Sequence, residues 1–327
     1  MKAIWYTETG EAKNVLNYGE MNAPIPTIGE VLVRLHASGI NPSDVKTRAG
    51  ARGPIAFDKV IPHSDGAGVI EAVGENVDVS RIGERVWIWN GAWKRPFGTC
   101  AEYICVPSSQ AAHLPDNVSF EAGACLGIPA STAHYGVFSD GSVRDKTVLV
   151  TGGAGAVGHY AIQFAKLGGA KVITTVSGPE KAAHAKSSGA DAIVNYREGD
   201  VAEAIMKATG GHGVDRVVEV EFGGNLEVTN KVLRANGVIA TYGSMAAMEP
   251  TLPFYPMMFN GVTLRMYLVY LLSDEARQAT IDGVNKMIAN PRMIHAITEI
   301  HDLSDTARAH EAVESGEVIG NVVVQIK

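Results

Sequence analysis

Residues Thr147-Val-Leu-Val-Thr-Gly-Gly-Ala-Gly-Ala-Val-Gly158 constrain the fold more than any other stretch of the chain. An apolar run, Val148, Leu149 and Val150, is cut by glycines and followed by a helical pattern. Gly153-Ala-Gly155-Ala-Val-Gly158 spells G-x-G-x-x-G, and Gly152, Gly155 and Gly158 give an overlapping reading. Glycine turns the chain tightly, lets backbone approach a pyrophosphate and allows close helix–strand packing. The helix N-terminus then presents free N–H groups to the phosphates. Gly152, Gly153, Ala154, Gly155, Ala156, Val157 and Gly158 are therefore the expected phosphate cradle. Alone the motif is a weak signal. Here a strand, a helix and a second strand follow in the required order, which makes it a dinucleotide fingerprint.

The rhythm around it supports that reading. From residue 123 onward the pattern alternates strand and helix. Strands are expected at 147–151, 171–176, 192–195, 215–220 and 237–242, with helices at 156–168, 179–188, 200–209 and 225–235. This is an α/β, doubly wound parallel sheet, a Rossmann arrangement. Residues 1–120 read instead as short strands broken by Gly and Pro, at 2–7, 31–37, 66–73, 85–89 and 101–106, which suggests a barrel or a tightly curled sheet. Gly39-Ile-Asn-Pro-Ser-Asp44 reads as a break, and Ser119 as the cap of a short helix over 119–126. Helices are expected over 273–290 and 304–315, and a final strand over 321–326. A strand arriving so late is expected to rejoin the first sheet. The expected domains are thus 1–122 with 266–327, a β-rich domain, and an inserted 123–265, with a cleft between them.

Length and charge bound the function. A chain of 327 residues suggests about two domains. Net charge is −7 with no basic run, which argues against nucleic acid or an anionic membrane as the main partner. No apolar run reaches the roughly 18 residues that span a bilayer. Met1-Lys-Ala-Ile-Trp-Tyr6 carries no signal-like core, so a cytoplasmic protein is expected. Cys100, Cys105 and Cys125 are too few and too scattered for a disulfide framework.

The second strand ends at Ser177-Gly-Pro-Glu-Lys181, where an NAD site would place an acid for the ribose hydroxyls. Ser177 and Lys181 suit a 2′-phosphate, with Tyr196 and Arg197 able to approach the same region, so NADPH is favoured over NADH. Glu180 is the counter-argument, and Lys181 as one more solvated helix charge is the plainer reading.

Taken together, these segments resemble the zinc-independent quinone reductases of the medium-chain dehydrogenase/reductase superfamily, the zeta-crystallin group. The resemblance is carried by Gly39-Ile-Asn-Pro-Ser-Asp44, Asp65-Gly-Ala-Gly-Val-Ile-Glu-Ala-Val-Gly74, Gly98-Thr-Cys-Ala-Glu-Tyr103, Thr132-Ala133, the glycine fingerprint and Ile319-Gly-Asn-Val-Val-Val324. It implies a GroES-like catalytic domain with an inserted Rossmann domain, NADPH as cofactor, a small-molecule quinone or enone as substrate, and assembly as a dimer or tetramer. It implies no metal: zinc-binding relatives place Cys at Pro42-Ser43 and His at Ser64, and three cysteines cannot build their four-cysteine lobe. A His63–Cys100 metal pair is less expected than a loop histidine and a strand cysteine.

The resemblance also assigns roles. Asn41 matches an Asn that faces the nicotinamide, where its amide can donate to an acceptor oxygen as charge builds during hydride transfer, with the proton coming from solvent. The competing reading is that Asn41 only fixes the Asn-Pro turn. Asp44 is the second catalytic candidate, or a brace for the loop. Thr132, Gly243, Ser244 and Tyr267 complete the expected cofactor side, Tyr267 also offering aromatic surface for a planar acceptor, as Trp87, Trp89 and Trp93 could. In Val217-Val-Glu-Val-Glu-Phe-Gly223, Glu219 matches the relatives' acid, but Glu221 stands in an apolar slot. A carboxylate buried there is costly unless paired or protonated. Reduction of an α,β-unsaturated carbonyl, a non-catalytic crystallin-like role and a zinc alcohol dehydrogenase are the alternatives.

Overall fold

The computed structural model describes residues 1–327. The chain forms two units, Met1–Pro129 with Val284–Lys327, and Ala130–Gly283. The first carries β1 (Lys2–Trp5), α1 (Ala12–Val15), β2 (Asn17–Glu20), β3 (Glu30–Ile40), α2 (Pro42–Arg48), β4 (Asp65–Val73), β5 (Arg85–Ile88), β6 (Tyr103–Pro107), β7 (Ala111–His113) and α3 (Phe120–Gly123). The second carries α4 (Ser131–Phe138), β8 (Thr147–Val150), α5 (Ala156–Leu167), β9 (Lys171–Val176), α6 (Pro179–Ser187), β10 (Ala192–Asn195), α7 (Val201–Ala208), β11 (Val214–Glu219), α8 (Phe222–Val232), β12 (Leu233–Thr241), α9 (Phe254–Phe259) and β13 (Thr263–Met266). Then come α10 (Asp274–Ile288), β14 (Ile297–Asp302), α11 (Thr306–Ser315) and β15 (Asn321–Gln325). No helix is long and apolar enough to cross a membrane.

In the first unit the sheet runs β14-β15-β3-β4-β5-β7, with β6 also on β3. β3 gives Glu30–Arg34 to β6 and Ala37–Ile40 to β15, and keeps β4 on its other edge. Register shifts at Leu32/Val33 and Leu35/Ala37 bend it, as bulges do, so the sheet curls. Val31, Val33, Leu35, Ile70, Val86 and Ile88 meet Val322 and Val324 in one core. The expected break at Gly39–Asp44 is a strand end followed at once by a helix. Asn41 is the N-cap and Pro42 opens α2, the residue pair that favours a helix start.

In the second unit all six strands are parallel, in the order β10-β9-β8-β11-β12-β13. Val148, Leu149 and Val150 are no more than 1% exposed. Such a continuous buried run is what a parallel strand covered on both faces requires. β13 is a sixth strand beyond the five expected; it is short, and Thr263 and Met266 are exposed. Arg216 of β11 ties α4 to this sheet, donating to Gly136 O at 2.6 Å and to Asp140 Oδ2 at 3.0 Å.

Candidate functional site

In the second unit the order of β8 to β13 reverses about β8: β9 and β10 lie on one side, β11 to β13 on the other. Open α/β sheets bind ligands at such a switch point, outside the carboxyl ends of the strands. Gly152 to Gly158 occupy that place. Gly152 has φ +66, in the left-handed region. Gly155 N donates to Gly152 O at 3.0 Å, closing the turn. A Cβ on Gly158 would lie 2.2 Å from Gly152 O, whereas one on exposed Gly155 would meet only Gly152 O, at 3.4 Å. The turn is therefore packed beneath and open above. Gly155 caps α5 without a side chain, which leaves first-turn N–H groups for an anion. These residues fit a dinucleotide pyrophosphate.

The adenosine-side candidates fall on the β9 flank. Ser177 follows β9, and Lys181 lies in the first turn of α6. Tyr196 N donates to Val176 O at 2.9 Å, which brings Tyr196 beside them, and its side chain is exposed. On the other flank, buried Thr132 gives its carbonyl to the Tyr267 hydroxyl at 2.8 Å. A Cβ on Gly136, one helical turn on, would lie 2.5 Å from that hydroxyl. Gly243, Ser244 and Tyr267 line a recess of about 430 Å³ together with Phe222, Tyr242 and Met266.

Glu221 does not sit as an unpaired buried acid. It caps α8, accepting from Gly224 N at 3.3 Å, and also takes Met245 N at 2.7 Å and Ala246 N at 3.0 Å. Glu219 is the buried acid. It is 0% exposed, and Thr151 Oγ1, Glu221 N and Asn225 Nδ2 donate to it at 2.7–2.8 Å. Burial raises its carboxyl above the ordinary range, and these donors offset only part of the rise.

In the first unit Asn41 and Asp44 close a reciprocal capping box at the start of α2, with Asn41 N donating to Asp44 Oδ2 at 2.8 Å. The Asn41 amide, 3% exposed, donates through Nδ2 to Asp65 Oδ2 at 2.9 Å. One amide hydrogen is thereby committed to Asp65, a residue that sequence reasoning treated only as part of a motif. Asp65 also accepts from Ile128 N at 2.9 Å, while its Oδ1 is buried without a partner. Burial holds Asp65 well above the carboxylate range.

Burial also pushes Asp44 up to about 7, against the hydrogen bonds from Asn41. A carboxyl raised on folding binds its proton more tightly in the native state. Its stabilisation is complete below the unfolded value of about 3.9 and is lost as pH rises through the folded value. Asp44→Asn mimics the protonated form. The stability of the natural protein relative to this variant is therefore expected to fall from pH 4 to pH 7, the upper limit being the folded value of about 7. Urea denaturation at each pH measures the difference; a pH-independent gap would contradict the assignment.

His63 is not paired with Cys100. Its Nε2 meets His310 Nε2 at 2.8 Å and its Nδ1 meets Ser38 Oγ at 2.9 Å, while Cys100 Sγ lies 3.5 Å from Thr306 Oγ1. No three His, Cys, Asp or Glu side chains gather as metal ligands would.

Comparison with known proteins agrees with this geometry. Residues 27–116 match the alcohol dehydrogenase GroES-like domain family, and residues 156–286 the zinc-binding dehydrogenase family. The human quinone oxidoreductase is 31% identical over 250 residues, which cover 76% of this chain and 75% of the human one. The chain belongs to the medium-chain dehydrogenase/reductase superfamily, in its quinone oxidoreductase group. A mycobacterial protein solved with NADPH is 30% identical, with a TM-score of 0.86 and 100% of both chains covered. The Escherichia coli quinone oxidoreductase solved with NADPH is 26% identical, with a TM-score of 0.87 and 100% of both chains covered. The family's two folds are the GroES-like curled sheet of the first unit and the Rossmann sheet of the second.

Proposed function

We propose that this protein is an NADPH-dependent oxidoreductase that reduces a quinone without zinc. The observation that carries the reading is the open glycine turn at Gly155, flanked at the end of β9 by Ser177 and Lys181 where an NAD site needs an acid. The two relatives solved with NADPH support it.

Bound NADPH would supply a hydride, two electrons and one proton, to the acceptor. The chain's own residues hold and orient. The first-turn N–H groups of α5 take the pyrophosphate, and Ser177 and Lys181, with Tyr196 beside them, take the 2′-phosphate. Thr132, Gly243, Ser244 and Tyr267 stand on the nicotinamide side. Asn41 is the amide donor that would serve the acceptor oxygen as negative charge develops there. Asp44 and Asp65 fix the orientation of that amide, and solvent supplies the second proton of the hydroquinone.

Lys181→Ala is expected to weaken NADPH binding about 10-fold, the scale of one charge-assisted hydrogen bond, and to leave NADH binding unchanged. Cofactor fluorescence titration reads both. Equal losses for the two cofactors would remove Lys181 from the phosphate site.

A homodimer is part of the same reading. β13 is an edge strand with a neighbour on one side only. Phe254, Tyr255, Phe259, Met266, Leu268 and Leu271 are exposed along the same part of the chain. An apolar edge of this kind is normally covered by a partner. Sedimentation equilibrium measures the assembly directly.

A further inference from the structure

We infer that Glu221 is a positioning residue for the nicotinamide half of the cofactor, because its carboxylate clamps the segment Gly243–Met248 to the start of α8. The inference rests on the NADPH reading above and deepens it.

The flank follows from topology. With the pyrophosphate over the turn after β8 and the 2′-phosphate on the β9 side, the other half of a dinucleotide extends over the carboxyl ends of β11 and β12. Those ends carry Glu219–Glu221 and Gly243. Glu221 lies at the crossing of the two chain segments. Consecutive amides Met245 N and Ala246 N converge on its two carboxylate oxygens at 2.7 and 3.0 Å. Successive backbone N–H groups that turn toward one point form an anion-binding concavity, and here the anion belongs to the chain itself.

Two further ties surround the clamp. Phe222 N donates to Gly243 O at 2.8 Å, and Gly223 N donates to Ser244 Oγ at 2.9 Å. The approach is too close for side chains. A Cβ on Gly223 would lie 2.3 Å from Ala247 O, and one on Gly243 would lie 2.4 Å from Val220 O. The clamped segment supplies Gly243, Ser244 and Met248 to the recess that Tyr267 also lines. Its carboxylate thus fixes one wall of the place where the nicotinamide and a flat acceptor would lie. An apolar side chain at this position has no acceptor for Met245 N or Ala246 N, so both amides would turn to water and the wall would loosen.

The test uses Glu221→Leu and Glu221→Gln in the full chain. Amide hydrogen exchange over 243–248, measured without cofactor, is expected to speed up in Glu221→Leu and to fall between the two in Glu221→Gln, which keeps one acceptor oxygen. NADPH affinity is expected to drop about 10-fold in Glu221→Leu, the effect of lost preorganisation of one wall. Adenosine 2′,5′-bisphosphate, which lacks the nicotinamide half, is expected to bind with unchanged affinity. Unchanged exchange in Glu221→Leu, or equal weakening of both ligands, would overturn the inference. Natural protein that binds neither ligand would overturn the NADPH reading and the inference with it.

Discussion

Gly158→Ala protein is expected to bind NADPH more than about 100-fold more weakly than the natural protein, and to melt at a lower temperature. The added methyl would stand 2.2 Å from Gly152 O and 2.8 Å from Gly153 Cα. Both neighbours are backbone, so no flexible side chain can give way. The turn must open, at an overpacking cost of about 1–3 kcal/mol, and the cradle then no longer matches the phosphates. Gly155→Ala separates the two effects. Its methyl meets only Gly152 O, at 3.4 Å, and Gly155 has φ −77, which any residue adopts. This variant should melt like the natural protein yet bind NADPH poorly, because the methyl occupies the approach to the pyrophosphate. Thermal melting and fluorescence titration on the pair decide the matter. Normal binding by Gly155→Ala would place the phosphates elsewhere.

Asn41→Ser is expected to lower turnover about 100-fold, the scale of one lost donor to a developing oxyanion, with NADPH affinity unchanged. Asn41 has two duties in the structure. It caps α2 within the capping box, and it holds its amide on Asp65 at 2.9 Å. Serine is an equally good N-cap, so this substitution keeps the helix start and removes only the amide donor. If Asn41 served the turn alone, the serine variant would turn over normally. Asn41→Ala would lose both duties, and its added loss of stability, about 1 kcal/mol for a cap, measures the structural share.

The dinucleotide fold was largely legible because its inner strands are covered on both faces. Val148–Val150 and Val172–Val176 are unbroken apolar or small-residue runs, and the glycines mark the turn after the first of them. The strand β14 is hidden because hydrophobicity does not follow its alternating burial: the half-buried face carries Glu299 and His301, and Ile300 is on the exposed face with Thr298 and Asp302. The start of α2 is carried by Asn41-Pro42, an N-cap followed by proline at N1, a pair that marks a helix start as well as a break.

The site was legible in its residues and not in its contacts. Glu221 stood out as a carboxylate in an apolar slot, but the amides that satisfy it lie 24 and 25 residues away. Asp65 reaches Asn41 across 24 residues because β3 and β4 pair antiparallel from Gly39 and Asp65 onward. Such meetings depend on strand register, which no local period encodes. Likewise, the partner of His63 is His310, brought to it by folding across 247 residues.

The central claim is hydride transfer from NADPH to a quinone with no metal at work. The direct measurement is the oxidation of NADPH and of NADH by metal-stripped protein, with a small quinone and with an enone. The account predicts rapid turnover of the quinone, with NADPH strongly preferred. Activity that returns only when zinc is restored, or turnover that prefers NADH, would contradict it.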